Sequence, residues 1–158
     1  MNVEEDQDLD GLLTEAIDER QPALDAMSVP ELVRLLNERD ATIPAAVGAA
    51  LPQIAAAIAA AADRMRRGGR LIYVGAGTSG RLGVLDASEI PPTFGTGPDL
   101  VVGLIAGGPR ALVSSVEAAE DDPEAGASAV AALALTADDG VVGLASSGRP
   151  PYVLGAVR

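Results

Sequence analysis

The chain has 158 residues, enough for one domain with a hydrophobic core, and all 11 of its basic residues are arginine. It contains no Cys, His, Lys or Trp, which excludes thiol nucleophiles, imidazole bases, Schiff-base lysines and Cys/His zinc sites. Acid–base chemistry is therefore left to Asp, Glu or Tyr. The net charge of −12 argues against nucleic acid as a partner, because nucleic-acid binding needs a basic surface.

The N-terminal region is strongly acidic, and its first twenty residues hold eight acids and one Arg. This composition predicts a solvated arm, which we assign to residues 1–27. No signal peptide is recognisable, since a basic stretch followed by an apolar one is missing. Residues 45–62 are almost wholly apolar, but they are mostly alanine rather than the Leu, Ile or Phe that favours membrane insertion. We interpret them as an Ala-rich helix of a soluble, cytoplasmic protein, either buried or at a dimer interface.

Helices are predicted throughout residues 28–67. Ser28 as N-cap, with an acid three positions later, predicts a short helix over residues 28–37. Residues 42–67 are predicted to form one long helix that is kinked at Pro52 and ends at Gly68-Gly69.

From residue 68 onward, apolar runs alternate with helical patterns. Strands are predicted at residues 70–75, 100–108 and 140–148, and helices at residues 79–88, 109–122, 123–135 and from 150. Continuous apolar strands that alternate with helices are typical of an α/β fold with a parallel sheet buried on both faces. Because the last helix stops at residue 158, we interpret the chain as the N-terminal part of something longer.

The turn after the first predicted strand has the pattern Gly-X-Gly-X-X-Gly, over residues 75–80. It matches the dinucleotide fingerprint, but no acid ends the second strand to hold a ribose, and a triphosphate P-loop would need a lysine. Two alternatives remain open: a tight turn with a purely structural role, or a site where backbone N–H groups and hydroxyls hold a single phosphate.

A second turn rich in small and hydroxyl residues follows the third predicted strand, over residues 145–150. Ligands of doubly wound sheets bind outside the carboxyl ends of the strands. The two turns together therefore predict one phosphate held between the ends of the first and third strands.

Four segments in this order and spacing, LIYVGAGTSGRLGVLDASEIPPTFG, LVVGLIAGG, EAAEDD and SSGRPPYV, resemble the N-acetylmuramic acid 6-phosphate etherase family. That family belongs to the sugar isomerase (SIS) domain superfamily. The resemblance runs from about residue 14 to residue 158. It implies a three-layer αβα SIS-type parallel sheet, here a partial one of about three strands over residues 68–158. It also implies a homodimer that forms through residues 45–62.

The resemblance implies cleavage of the D-lactyl ether of N-acetylmuramic acid 6-phosphate, by elimination and then hydration, in cell-wall sugar recycling. No metal or cofactor is implied. Elimination needs a base and an acid, and two carboxyl groups in different environments supply both. Glu89 matches the family's catalytic acid, at the predicted C-terminal end of a helix that Pro91-Pro92 would end. Glu120 matches the base, with Glu117 on the same predicted helix face as the reserve candidate.

The resemblance also implies a set of phosphate-binding residues. The hydroxyl ligands and the glycines that permit close approach are Gly77, Thr78, Ser79, Gly80, Ser147 and Gly148. Arg81 and Arg149 are candidates to neutralise the phosphate. The sequence departs from the family pattern at Pro150, where Thr is usual, and at Asp18, where Asn is usual.

Two other functions compete with the etherase. One is a non-catalytic sugar-phosphate-binding SIS regulator or an inactive truncated etherase, which Pro150 favours. The other is an aldose–ketose isomerase, against which the block LDASEIPPT argues. The presence of both Glu89 and Glu120 favours the enzyme.

Overall fold

The computed structural model describes residues 23–158, together with residues 14 and 16. Most of the predicted acidic arm, residues 1–27, and the departure at Asp18 therefore lie outside the described residues. The chain divides into two compact units, and the boundary between them falls after Ile58.

The described part of the first unit is helical. Helix α1 spans Val29–Asp40, as predicted from its cap: the Ser28 backbone N–H donates to the Glu31 carboxylate at 2.8 Å. Helix α2 spans Ile43–Ala49 and helix α3 spans Leu51–Arg66. The predicted bend near Pro52 is present, but it is a break between α2 and α3, so the prediction of one helix over residues 42–67 is wrong. Pro52 lies in the first turn of α3, where a missing N–H costs least, so a new helix starts there.

Large apolar side chains of these helices are exposed. They are Val29, Val33, Leu36, Ile43, Val47, Leu51, Ile54 and Ile58. The alanine-rich helix α3 has no buried residue in the part of the chain that the structure describes. Among the described helices, no single one is long and apolar enough to cross a membrane, and only the bent pair Val29–Ala49 and Leu51–Arg66 meets that test, by length and composition alone.

The second unit contains a parallel sheet of three strands. Strand β1 spans Leu71–Gly75, β2 spans Val101–Ile105 and β3 spans Gly140–Leu144. Their order is β2-β1-β3, and both pairings are parallel, with Gly75 opposite Ile105 on one side and opposite Leu144 on the other. The predicted α/β class and all three predicted strands are confirmed.

Helices cover both faces of this sheet. On one face Ile72 and Val74, both fully buried, form a core with α5 (Pro123–Ala131) and α6 (Pro151–Val157). On the other face α4 (Gly77–Phe94) packs so closely that a Cβ on Gly83 would lie 3.1 Å from the Cβ of Tyr73. The arrangement is the expected three-layer αβα fold, in which β1 lies at the centre of the sheet.

The connection from β2 to α5 differs from its prediction. The expected helix over residues 109–122 is wrong: there are two short 3₁₀ turns, Gly108–Leu112 and Ala119–Asp121, with irregular backbone between them. Ala118 adopts φ 58°, which no α-helix accommodates. The Asp122 carboxylate then caps α5 by accepting from the Ala125 N–H at 2.9 Å.

Helix α4 is longer than predicted. It continues through Pro91 and Pro92 to Phe94 and ends at Gly95, which adopts φ 66° and donates its N–H to the Pro91 carbonyl at 2.9 Å. The prediction that the two prolines end the helix is wrong, because proline has a helical φ and here removes backbone hydrogen bonds only close to the helix end. Glu89 consequently lies inside α4 and not at its C-terminal end.

One ion pair joins the starts of β1 and β3. The Arg70 guanidinium donates to Asp139 at 2.8 Å and to the Leu133 carbonyl at 2.9 Å, while the Arg70 backbone N–H donates to Asp139 at 2.7 Å. The Asp139 side chain is only 2% exposed. The hydrogen bond from Arg70, followed by that from the Thr136 N–H, holds the pKa of Asp139 well below its usual range.

We expect Asp139→Ala to lower the unfolding temperature more than Asp138→Ala. The control residue Asp138 pairs with Arg67 at the surface, where the two side chains are 40% and 54% exposed and such pairs contribute at most about 1 kcal/mol. Because the pKa of Asp139 is lowered in the folded state, its stabilising effect is complete above about pH 4 and is lost as the pH falls further. The difference in unfolding temperature between the two variants should therefore be larger at pH 7 than at pH 3, as measured by thermal melts followed by circular dichroism. Equal melting temperatures at pH 7 would contradict this expectation.

Candidate functional site

The N-terminus of α4 lies directly against the carboxyl end of β1. A Cβ on Gly75 would lie 2.7 Å from the backbone N and Cα of Gly80, so both positions require glycine. Gly77, the first residue of α4, adopts φ 51° where the chain turns from the strand into the helix. The close approach directs the unpaired N–H groups of the first helical turn to the carboxyl edge of the sheet, where an anion is favoured.

The strand order places a topological switch point between β1 and β3. The connection that leaves β1 over α4 leads to β2 on one side, and the connection over α5 returns across the opposite face to β3 on the other side. Ligands of doubly wound folds bind outside the carboxyl ends of the strands at such a point. Half-buried Ser79 follows β1 and exposed Ser147 follows β3. The Ser147 hydroxyl oxygen accepts from the Arg149 N–H at 3.3 Å, and Gly148 completes this turn at φ 70°.

An open cavity of about 260 Å³ lies on the other side of β1, towards β2. It is lined by Ala76, Gly77, Arg81, Ala106, Ala111 and residues 115–120. The cavity thus joins the start of α4 to the carboxylates of Glu117 and Glu120, although 39 residues separate Arg81 from Glu120 in the chain. Ser79 and Ser147 do not line it.

The two carboxylates of this cavity stand on irregular backbone and not on one helix face. Glu120 belongs to the 3₁₀ turn Ala119–Asp121, and Glu117 lies in the turn before it. The Ser115 hydroxyl donates to Glu117 at 2.6 Å and so orients its carboxylate. The sequence analysis did not identify Ser115 as a site residue. The only indication in the sequence is that its hydroxyl group stands two positions before an acidic residue.

Glu89 is remote from this cavity within one chain. It is exposed on α4 and does not line the cavity that contains Glu120. At 1.5 Å per residue, Glu89 lies about 12 Å further along the helix axis than Arg81. Leu82 and Leu85, which precede it at helical spacing, are 58% and 57% exposed. The structure therefore brings Gly77 and Glu120 together and leaves Glu89 on an uncovered, largely apolar helix face.

The two tyrosines are poor candidates for the base. Burial, followed by a hydrogen bond with Asp86, raises the pKa of Tyr73, and burial raises the pKa of Tyr152. Both phenols therefore remain protonated over the range in which carboxylates are ionised, and acid–base chemistry is left to Asp and Glu. Among the described residues, no group of three or more Asp or Glu side chains is placed to share a metal ion.

Comparison with known proteins agrees with this architecture. Residues 53–158 match the family model described as the glucokinase regulatory protein N-terminal SIS domain. The chain belongs to this SIS domain family. The match covers all three strands and the helices on both faces of the sheet, together with the turns at the ends of β1 and β3.

Several curated relatives of the chain are named N-acetylmuramic acid 6-phosphate etherase. The chain is 62% identical to the N-acetylmuramic acid 6-phosphate etherase of Streptomyces avermitilis, over 96% of its own length and 49% of the relative's. It is 62% identical to the etherase of Streptomyces coelicolor, over 95% of this chain and 48% of that one. It is 55% identical to the etherase of Mycolicibacterium smegmatis, over 96% of this chain and 51% of that one. The chain spans about half the length of the curated relatives it matches.

Phosphate binding between β1 and β3 remains a prediction, and it is testable. We expect Ser79→Ala and Ser147→Ala each to weaken the binding of N-acetylglucosamine 6-phosphate by about 1–3 kcal/mol, because a phosphate oxygen would lose a hydrogen bond. Ser128→Ala, on the exposed surface of α5, is the matched control and should leave the affinity unchanged. Isothermal titration calorimetry measures the difference. Unchanged affinity in both site variants would mean that the phosphate binds elsewhere.

Proposed function

We propose that the protein cleaves the D-lactyl ether of N-acetylmuramic acid 6-phosphate, giving N-acetylglucosamine 6-phosphate and D-lactate. The observation that carries the proposal is the cavity in which the first turn of α4 meets the carboxylate of Glu120. The identity of 55–62% to etherases over nearly the whole chain supports it. We also propose the cytoplasm as its compartment and cell-wall sugar recycling as its role.

The proposed reaction requires one base and one acid. In the open-chain aldehyde the proton at C2 is acidified by the neighbouring carbonyl, and Glu120 removes it. The resulting enolate then breaks the bond between C3 and the ether oxygen. Glu89 protonates that oxygen, so that D-lactate leaves and an unsaturated aldehyde remains. Water then adds its hydroxyl group to C3 while C2 regains a proton. Proton transfers of this kind by positioned carboxyl groups supply about 100- to 10,000-fold in rate.

The same proposal includes a homodimer. Eight large apolar side chains of α1, α2 and α3 are exposed, and surfaces of this kind mark interaction sites in soluble proteins. A second copy would also complete the reaction machinery. Glu89 lies on the exposed face of α4, outside the cavity that holds Glu120 of the same chain. To act on a substrate next to a Glu120 carboxylate, Glu89 would have to enter the cavity of a second copy. We therefore propose that each site combines Glu120 of one copy with Glu89 of the other.

The two carboxylates should be separable by hydrogen exchange. In the full-length protein, Glu120→Ala should abolish both lactate release and exchange of the C2 proton with heavy water, because both events require the deprotonation at C2 that Glu120 carries out. Glu89→Ala should stop lactate release but retain some C2 exchange. Each loss should be at least about 100-fold. Proton NMR of N-acetylmuramic acid 6-phosphate in heavy water reports both events. Full lactate release by both variants would show that neither carboxylate is catalytic.

Mixing the two inactive variants tests whether the site is shared. If each site takes Glu89 and Glu120 from different copies, a mixed dimer of Glu89→Ala and Glu120→Ala subunits regains one intact site. Random reassociation should then restore about one quarter of the original activity. If both residues serve the same copy, mixing restores nothing. Lactate release after joint unfolding and refolding is the measurement, with each variant refolded alone as its control.

A further inference from the structure

Arg81 occupies an unusual position in the cavity that contains Glu120. It is half-buried in the second turn of α4, and it lines that cavity as well as a neighbouring one formed by Thr78, Leu82 and Leu85. Of the described residues that line the Glu120 cavity, Arg81 alone is basic. Among the described residues it also forms no ion pair within 4.0 Å, because the ion pairs found there involve other arginines.

No acidic group of the described chain neutralises this cation. The helix dipole does not stabilise it either, because the N-terminus of α4 favours anions and the effect falls off within the first turn. Glu117 and Glu120 share the cavity but do not pair with Arg81, and Glu117 accepts its hydrogen bond from Ser115. The guanidinium is therefore positioned for an anion that comes from outside the chain.

That anion differs from the one predicted between β1 and β3. Ser147 follows β3, whereas the cavity of Arg81 is bounded by Ala106 and Ala111, which follow β2. Since β1 lies between these two strands, Ser147 and Arg81 lie on opposite sides of its carboxyl end. Two separate anion positions fit a ligand that carries two anionic groups.

The proposed substrate has two such groups. Its phosphate is on C6, and its carboxylate belongs to the lactyl group, which is joined by the ether to C3. C3 is the neighbour of C2, from which Glu120 removes a proton in the proposed reaction, so the carboxylate belongs in the cavity of Glu120 and not at the phosphate position. Arginine suits this task because its planar guanidinium donates two parallel hydrogen bonds to a carboxylate.

On the basis of the proposed function, we propose that Arg81 binds the carboxylate of the lactyl group and selects acidic ethers over neutral ones. Arg81 is then a substrate-binding residue that recognises the leaving group. Its removal should act mainly on KM, because the carboxylate is charged in the ground state and in the transition state alike.

Two substrates separate this role from phosphate binding. The full-length protein and its Arg81→Gln variant are assayed on N-acetylmuramic acid 6-phosphate and on the analogue whose lactyl carboxylate is replaced by a neutral carboxamide. Arg81→Gln should lower kcat/KM for the natural substrate by about 10- to 100-fold, the scale of one charge-assisted contact, and change it less than about 2-fold for the amide. For the natural substrate, kcat/KM of Arg81→Lys should lie between the values of the unsubstituted protein and of Arg81→Gln, since lysine keeps the charge but not the bidentate geometry.

Arg110→Gln is the matched control. Arg110 is exposed in the 3₁₀ turn Gly108–Leu112 and does not line the cavity, so the same loss of charge there should leave both substrates unaffected. If a thermal melt shows that Arg81→Gln does not fold, Arg81→Lys replaces it as the test variant.

Three outcomes overturn the assignment. An equal loss on both substrates would mean that Arg81 binds the phosphate or supports the fold, and no loss on either would remove it from the site. If the unsubstituted protein releases no lactate from the natural substrate, the proposed function fails, and the role of Arg81 fails with it. A loss confined to the acidic substrate supports the role of Arg81 as specificity determinant.

Discussion

The contact between Gly75 and Gly80 is the constraint on which the candidate site depends. A Cβ at either position would push the first turn of α4 away from the end of β1. Because the two backbones touch, the unpaired N–H groups of α4 and the side chains of its first turns are held at the carboxyl edge of the sheet. A Cβ on Gly80 would also lie 2.7 Å from the side chain of Ile105, so the start of α4 is held beside the end of β2 as well.

The order of the strands divides the site into two halves. With β1 in the centre, the turn after β3 lies on one side of its carboxyl end and the turn after β2 lies on the other. The first side offers small residues and hydroxyls, with Ser147 and Gly148, and the second offers charges, with Arg81 and Glu120. We proposed on this basis that the phosphate and the reacting centre of the substrate lie on different sides of β1. The Arg70–Asp139 pair holds the opposite, amino-terminal edge of the same strands together, away from the site.

Much of the architecture was predictable, because its signals lie between residues that are near neighbours in the chain. The cap formed by Ser28 and Glu31, the glycines after α3 and the apolar strands are all local patterns, and the structure confirms them. The failure with the greatest consequence for the site had a tertiary cause. The segment 109–122 has an acceptable helical composition, yet Val116 packs against Gly107 and Ala118 takes a left-handed conformation, so packing overrides propensity.

The sequence by itself determined the fold class, the Gly-X-Gly-X-X-Gly turn after β1 and the residue types available for chemistry, since periodicity, glycine spacing and composition are properties of the chain alone. Only the tertiary structure decided which of those residues meet. It joined Arg81 to Glu120 across the β1–β2 crossover and left Glu89 outside their cavity, because the segment after β2 meets α4 there only at Gly77 and Arg81. Distances between side chains depend on helix packing over the sheet, and no local pattern encodes them.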